Sequence, residues 1–505
     1  MTPASRHFGR ETGTAAAATR SVRSGMITVA GRGVQLMLQL GLAVYLARIL
    51  SPEDFGVQAM AFPVALLVQG IANSGLQSAI IQHQDLDDVQ ASALFWASLR
   101  WSALLCAGMA AAGFPLVALY RDARVLPVTI AWSVITFGAT LSAIHEALLK
   151  RQFRFVPVLG AHLTGLVLSI VVAVVAARLG ARYWTIILQM AVVELVRVPL
   201  IWTLSRWRPL SPARLGSARQ TAAAELQAYW RGFAGARFVG WIGEQADRLT
   251  VGAIGGAPML GLYDSAKRWG TFAFLELYLP LSEVAIASLS SVRDDAALLK
   301  QYTRNAILPV LMVSLPIVGF MFAEAYGVIL LILGPIWTPA TSMLRAITVA
   351  VALGSIGRLV TWVSLSTGQT PRQFRWMLFA TPFYLAGVLV GARWGGVGVA
   401  IGVAVANALT SVPAVFYLLA TTSLRPWGVL QAWLVPMLAS CGGVLALRVL
   451  DASLPAANAV SGLMLGLFVR GLVFLATYGV LWLLLPGGRT MLRELFQRRL
   501  TTVAH

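Results

Sequence analysis

Residues 24–49 read SGMITVAGRGVQLMLQLGLAVYLARI, an apolar stretch that contains a basic side chain, Arg32, near its middle. About 20 apolar residues are enough to cross the hydrocarbon core of a bilayer as an α-helix. An arginine cannot lose its charge at that depth, so it normally faces a protein-lined aqueous cavity. The stretch therefore predicts a transmembrane helix that lines a polar pathway, and Arg237 repeats this pattern later in the chain.

Similar apolar stretches recur along nearly the whole chain, which has 505 residues, 58% of them hydrophobic and 12% charged. Breaks at polar or Pro/Gly-rich positions predict about fourteen transmembrane helices, and so an all-α integral membrane protein without a sizeable soluble domain. Cys106 and Cys441 both lie in apolar stretches, so neither a disulfide framework nor a zinc site is indicated. The predicted spans are 24–49, 56–82, 91–119, 125–149, 156–178, 183–205, 228–254, 259–289, 303–323, 341–366, 374–392, 396–421, 427–449 and 460–485.

The net charge of +19 would suggest a nucleic-acid partner in a soluble protein, but here most cations lie in short loops. When alternate loops are assigned to opposite faces, one face collects most of these cations, which marks it as cytoplasmic. Both termini are therefore predicted to be cytoplasmic, with basic tails at 1–23 and 486–505 and no cleavable signal peptide. The cations of this face include Lys150, Arg151, Arg154, Arg206, Arg208, Arg214, Arg219, Arg293, Lys300, Arg304, Arg372, Arg375 and Arg425.

A basic loop after the sixth predicted span, residues 206–227, carries Pro209 and Pro212 and is predicted to link two halves. The halves are six-helix bundles at 24–205 and 228–421, and residues 427–485 form two additional helices. Bundles with an even number of spans are parallel repeats related by an axis along the membrane normal. An offset of 205 residues pairs Arg32 with Arg237, Gln39 with Glu244 and Gly56 with Gly261.

Polar residues on the first, seventh and eighth predicted spans are the candidate site. Residues seven or eleven apart share one face of an α-helix, which groups Arg237, Glu244 and Arg248. Glu244 and Arg248 are also four apart, so they can form an ion pair, with Asp247 beside them. The alternative for Arg48, Arg248 and Lys267 is an interfacial or packing role near a span end. The other members of the candidate site are Gln35, Gln39, Asp264, Arg268, Glu276 and Glu283.

Several loop sequences resemble the Wzx-type oligosaccharide flippases of the multidrug/oligosaccharidyl-lipid/polysaccharide exporter superfamily. These are LARILSPEDFG (46–56), GLQSAIIQHQDLDD (75–88), LLKRQFRF (148–155), DRLTVGAIGGAPMLGLYDSAKRW (247–269), SSVRDD (290–295) and GPIWTPA (334–340). The resemblance covers about residues 24–486, and it specifies the family rather than the sugar.

The resemblance implies a flippase of the bacterial inner membrane that moves polyprenyl-diphosphate-linked oligosaccharide repeat units from the cytoplasmic to the outer leaflet. The product would serve exopolysaccharide, capsule or O-antigen synthesis, with a polysaccharide polymerase and a chain-length regulator as candidate partners. Transport would proceed by alternating access through a central cationic cavity. Guanidinium groups suit a diphosphate because they are always charged and bind it in a bidentate manner.

Specific roles follow for the candidate residues. Arg32 and Arg237 are predicted to bind the diphosphate or acidic sugars, supported by Arg248, Lys267 and Gln39. Coupling to an H⁺ or Na⁺ gradient would use the carboxylates of Glu244, Asp247, Asp264 and Glu276, and no cofactor, metal or catalytic residue is predicted.

Two alternatives belong to other classes. A multidrug exporter of the same superfamily would have a cavity dominated by carboxylates and aromatic rings. The alternative of a membrane glycosyltransferase or polymerase rests on one motif, the D-x-D string Asp85–Asp87, which holds a metal ion in some nucleotide-sugar enzymes. We expect Asp87 or Asp88 to cap the third span instead.

Overall fold

The computed structural model describes residues 15–73, 87–152, 154–216, 218–451 and 460–489, without the side chains of 15–29, 73, 218–237, 451, 460 and 461. Helices make up nearly all of the described chain, which contains no strand. They are α1 Ala15–Ala47, α2 Pro52–Asn73, α3 Asp88–Tyr120, α4 Val125–Arg151, α5 Phe155–Arg178, α6 Trp184–Ser205, α7 Ala218–Ser291, α8 Ala296–Ala323, α9 Ala325–Ile332, α10 Thr341–Ser366, α11 Thr370–Gly391, α12 Gly395–Leu419, α13 Pro426–Asp451 and α14 Val460–Leu484.

Eleven helical ranges within the described residues are long and apolar enough to cross a membrane. Two of them, Phe238–Ser291 and Thr370–Leu419, each overlap a pair of the predicted spans. The first predicted span, 24–49, overlaps α1 and is not among the eleven. The all-α membrane architecture is confirmed, and the count of fourteen spans stays a prediction.

Helices extend into two segments that the sequence predicts as tail and linker. Helix α1 begins at Ala15, within the predicted tail 1–23, and α7 begins at Ala218, within the predicted linker 206–227. Both starts are rich in alanine and other strong helix formers, AAAATR at 15–20 and ARQTAAAELQ at 218–227. The polar character of these segments therefore did not prevent helix formation.

The chain divides into two compact units, one of residues 1–241 with 256–261 and the other of 242–255 with 262–505. In the first unit, α1 packs on α5, α2 and α3 pack on α4, and α4 and α5 both pack on α6. Close approach of α5 and α6 depends on Gly165, where a Cβ would lie 2.9 Å from the Val193 carbonyl oxygen. Such small residues let membrane helices gain van der Waals contact.

The start of the linker is fixed to the first unit by buried aromatic side chains. Trp207 is 2% exposed and donates from Nε1 to Asp88 Oδ1 at 2.8 Å. Its ring lies 5.1 Å from that of His145, whose Nδ1 is 2.9 Å from Ser205 Oγ. Trp96 Nε1 donates to the Leu210 carbonyl at 2.8 Å, so residues 207–210 are held against α3 and α4.

Trp207→Ala is expected to destabilise the protein by about 3–5 kcal/mol, because it deletes a fully buried ring and leaves a cavity. Thermal unfolding of the purified protein measures the effect. Trp394→Ala is the matched control, since Trp394 is 69% exposed and should lose little stability. Equal loss in both variants would show that the linker is not anchored by Trp207.

Helix α7 is interrupted once, at Gly256, where the backbone takes φ 63° and ψ −166°. An offset of 205 residues places Gly256 on Ser51, the residue before α2, where the chain also changes direction. Ser51 and Asp54 cap α2, with Ser51 Oγ donating to Asp54 Oδ2 at 2.8 Å. The break thus corresponds to the boundary between α1 and α2 in the first half.

The two segments that follow these boundaries contact each other within the first unit. A Cβ on Gly56 would overlap the carbonyl oxygen of Ala257, and a Cβ on Gly261 would overlap the carbonyl oxygen of Pro52. Both glycines and both carbonyls are 205 residues apart, so the contact is reciprocal. This arrangement agrees with the offset that pairs Gly56 with Gly261, and it requires glycine at both positions.

The second unit has its core between α8, α10 and α12, with α11 packed on α12 and α13 packed on α8. Asn407 of α12 donates from Nδ2 to the Ala350 carbonyl of α10 at 2.9 Å. Helices α13 and α14 pack together and on α8. Arg470 of α14 forms a bond of 3.0 Å to Glu324, which is 6% exposed, so a buried ion pair holds the last helix.

Candidate functional site

An ion-paired network in the second unit joins residues that precede and follow the Gly256 break along the chain. Arg248 precedes the break, and its Nε donates to Asp264 Oδ1 at 2.6 Å. Its Nη1 donates to Gln245 Oε1 at 2.8 Å. An unbroken helix would separate positions 248 and 264 by about 24 Å at 1.5 Å per residue. The break lets the chain fold back, and this brings the two charges together.

A second ion pair lies beside the first. Lys267 Nζ donates to Asp247 Oδ2 at 2.6 Å and to the Glu244 carbonyl at 3.2 Å. The hydroxyl of Tyr263 donates to Asp247 Oδ2 at 2.7 Å. Asp247 therefore receives hydrogen bonds from a cation and from a tyrosine hydroxyl on the same oxygen.

Because these ion pairs are buried, the stability of the protein depends strongly on keeping both partners of each pair. The exposed fractions of the side chains are 1% for Asp247, 8% for Asp264, 13% for Arg248 and 20% for Lys267. Removing one partner of a buried pair leaves an uncompensated charge, which costs about 3–5 kcal/mol. Arg268, 49% exposed and 3.9 Å from Asp264, adds a cation at the edge. The network therefore has more cations than carboxylates.

The network is a feature of the second repeat alone. The 205-residue offset places Asp247, Arg248, Asp264 and Lys267 on Leu42, Ala43, Ala59 and Phe62, none of which carries a charge. Leu42 and Ala59 are instead buried in the first unit. The 205-residue offset therefore relates the two stretches of backbone, but the charged side chains occur only in the later stretch.

The structure brings together four of the predicted site residues, Asp247, Arg248, Asp264 and Lys267. The pair predicted between Glu244 and Arg248 is wrong, since Arg248 pairs with Asp264 and the Glu244 side chain is exposed. Arg248 and Lys267 are both engaged in buried ion pairs, so a packing role for them stays a prediction beside the binding role.

The remaining predicted residues lie outside the network. Arg32 and Gln39 are exposed on α1 in the first unit, and Glu276 is exposed on α7 in the second. The side chain of Arg237 lies outside the described residues. The roles of these residues, and of the network itself, stay predictions.

A second charged network lies in the first unit. Arg197 pairs with Glu194, with Arg197 Nε 3.1 Å from Glu194 Oε2. Glu146 joins it, accepting from Arg197 Nη1 at 2.9 Å and from Lys150 Nζ at 2.8 Å. His162 Nε2 lies 3.7 Å from Glu146. The spacing of Glu146 and Lys150 by four residues was the signal in the sequence.

The D-x-D string has a structural explanation where it is described. Asp87 caps α3, accepting from the Gln90 backbone at 2.6 Å, while Gln90 Oε1 accepts from the Asp87 backbone at 3.4 Å. This is a capping box, as the sequence predicted for Asp87 or Asp88. Asp85 lies outside the described residues.

Comparison with known proteins gives consistent matches. A family profile described as polysaccharide biosynthesis protein matches residues 45–342, more than half of the chain. The succinoglycan biosynthesis transport protein ExoT of Rhizobium meliloti (strain 1021) is 25% identical over 372 residues, 73% of this chain and 74% of that protein. The lipopolysaccharide biosynthesis protein WzxC of Escherichia coli (strain K12) is 19% identical over 397 residues, 76% of this chain and 78% of that protein.

Among solved structures, the lipid II flippase MurJ in an inward closed conformation has a TM-score of 0.71. It is 14% identical and covers 90% of this chain and 99% of its own. At that identity the match establishes the fold, which is that of a membrane transporter.

Proposed function

Because the chain belongs to the polysaccharide biosynthesis protein family, we propose that it is a flippase for polyprenyl-diphosphate-linked oligosaccharide repeat units. This membership confirms the resemblance that the loop motifs indicated. The protein is a transporter rather than an enzyme, and its product enters exopolysaccharide, capsule or O-antigen synthesis. The observation that carries the proposal is the buried network of Arg248 and Lys267 with Asp264 and Asp247 inside an apolar span.

The network suits transport because its cations are already paired. A diphosphate head group that reaches the site competes with Asp264 for Arg248 and with Asp247 for Lys267. Charge-assisted bonds of the guanidinium to phosphate match those to carboxylate in strength, so the exchange is close to balanced. An anion can therefore bind and leave, which a transport cycle requires.

The same exchange couples transport to an ion. When the head group takes the cations, Asp247 and Asp264 are left buried without them, and H⁺ or Na⁺ ions, one at each carboxylate, compensate their charge. Release of the head group restores the pairs and expels these ions. Arg32, Gln39 and Arg237 bind the head group at a different stage, with Glu244 and Glu276 as further carboxylates in the ion pathway.

The orientation follows from the loop cations. Both termini lie in the cytoplasm, and the protein resides in the inner membrane, because the basic loops stay on the side where the chain is made. A polymerase and a chain-length regulator act on the product after it reaches the outer leaflet.

Deletion of the gene is expected to trap lipid-linked repeat units in the cytoplasmic leaflet, measured by leaflet-specific detection of the polyprenyl-diphosphate oligosaccharide. The Arg32→Ala, Arg237→Ala double variant, confirmed to be in the membrane, should trap them as well. Arg393→Ala, Arg448→Ala is the matched control, since it removes two exposed arginines at helix ends, outside the candidate site, and should restore transport. If lipid-linked repeat units still reach the outer leaflet in the deletion strain, the flippase proposal is refuted. If they reach it only in the Arg32→Ala, Arg237→Ala variant, the flippase proposal stands and the proposed role of these two arginines is refuted.

A further inference from the structure

A basic cavity of about 340 Å³ opens in the second unit between the starts of α8 and α13, and none of the residues of the ion-paired network lines it. Three cations line it, Lys300 and Arg304 from α8 and Arg425 from the residue before α13. Among the described residues, no acidic side chain contributes to its wall. The cavity therefore attracts anions, and its volume lies within the range of small-molecule sites.

A buried hydroxyl in the wall lacks a hydrogen-bond partner. Thr303 is 1% exposed, and its Oγ1 has none among the described residues. Several helical threonines satisfy themselves internally, as Thr271 does by donating to the Lys267 carbonyl at 2.7 Å, whereas Thr185 of α6, like Thr303, is buried without a partner in the described part of the chain. An unsatisfied buried polar group costs about 1–3 kcal/mol, and an acceptor bound in the basic cavity would offset this cost at Thr303.

Much of the remaining wall is apolar, and Gln431 is a further polar residue in it. Ile307, Val429 and Ala432 form an apolar side, and Trp427, 67% exposed, stands at the start of α13. Tryptophan is enriched at membrane–water interfaces, and the first turn of α13 adds the partial positive charge of a helix N-terminus. A ligand of this cavity therefore combines an anion with an apolar portion.

We propose that this cavity binds the phosphate head group of an anionic lipid from the leaflet that the loop charges identify as cytoplasmic. Lys300, Arg304 and Arg425 neutralise the phosphate, Thr303 donates its hydroxyl to it, and the apolar side receives the acyl-linked glycerol. Basic pockets between membrane helices on the cytoplasmic side are suited to such head groups. This inference does not depend on the identity of the glycan. A bulk phospholipid and the polyprenyl carrier share this phosphate chemistry, and the bulk lipid is the expected occupant.

The test uses the purified full-length chain and native mass spectrometry with added dioleoylphosphatidylglycerol, dioleoylphosphatidylcholine or undecaprenyl diphosphate. Lys300→Gln, Arg425→Gln is expected to weaken phosphatidylglycerol binding about 30-fold, from roughly 1 kcal/mol for each cation. Arg214→Gln, Arg293→Gln removes the same charge from exposed positions outside the cavity and should change it little. Phosphatidylcholine should bind weakly to all three proteins.

Thr303→Val leaves the charge of the cavity unchanged, so its effect on phosphatidylglycerol affinity reports on the hydroxyl alone. It is expected to weaken phosphatidylglycerol binding about fivefold, the value of one hydrogen bond. Lipid-free protein should unfold at an unchanged or higher temperature, because an unsatisfied hydroxyl is removed. Equal affinities of the cavity variant and its charge control would overturn the proposal. If only undecaprenyl diphosphate binding falls, the phosphate site stands and its occupant is the carrier lipid.

Discussion

Arg248→Met is expected to abolish transport of lipid-linked repeat units and to lower the free energy of unfolding by about 3–5 kcal/mol. The change leaves Asp264, 8% exposed, without the guanidinium that pairs with it. Leaflet-specific detection of the lipid-linked oligosaccharide measures the first effect, and thermal unfolding of the purified protein measures the second.

The double variant Arg248→Met, Asp264→Leu separates function from stability. Replacing both members of a buried pair by apolar residues is often neutral or stabilising, so the unfolding temperature should recover. Transport should remain lost, because the guanidinium that exchanges between Asp264 and the phosphate is absent while Lys267 alone remains paired with Asp247. Normal transport by the double variant would show that the Arg248–Asp264 pair contributes to stability and not to transport.

Glu324 and Arg470 provide a matched control in the same unit. They also form a buried ion pair, with Glu324 6% exposed and 3.0 Å from Arg470 Nη1. Arg470→Met should be destabilising, and Glu324→Leu, Arg470→Met should recover stability together with transport. The two pairs are then distinguished by transport in the double variants.

The helices could be predicted because apolar length, which identifies a span, is a property of local sequence. The offset of 205 residues pairs Gly56 with Gly261, and the structure adds the reciprocal contact between their segments. Capping of α3 by Asp87 could also be predicted, because its partner, the backbone amide of Gln90, is only three residues away.

The partners within the network could not be predicted in the same way. Periodicity along one helix suggested Glu244 for Arg248, but the partner is Asp264, beyond the break at Gly256. A glycine in an apolar run does not reveal whether the helix continues or folds back. The contribution of Glu146 was missed for a related reason, since its main partner, Arg197, is 51 residues away on another helix.

Gly56→Ala and Gly261→Ala are each expected to abolish transport, because an added Cβ overlaps backbone rather than a side chain that can rotate away. The segments starting at Pro52 and at Ala257 must then separate. The displaced residues immediately precede Asp264 and Lys267, so the geometry of the ion pairs is lost as well. Transport in cells and thermal unfolding of the purified variants measure these effects.

Gly41→Ala is the control, since a Cβ there meets nothing within 4 Å. It should preserve transport and stabilise α1 by up to about 1 kcal/mol, the helix preference of alanine over glycine. The reciprocal contact also predicts the behaviour of the double variant Gly56→Ala, Gly261→Ala. Residues that share one interface are not additive. Once the first alanine has separated the segments, the second should cost little, whereas a doubled loss of stability would mean that the two glycines serve independent contacts.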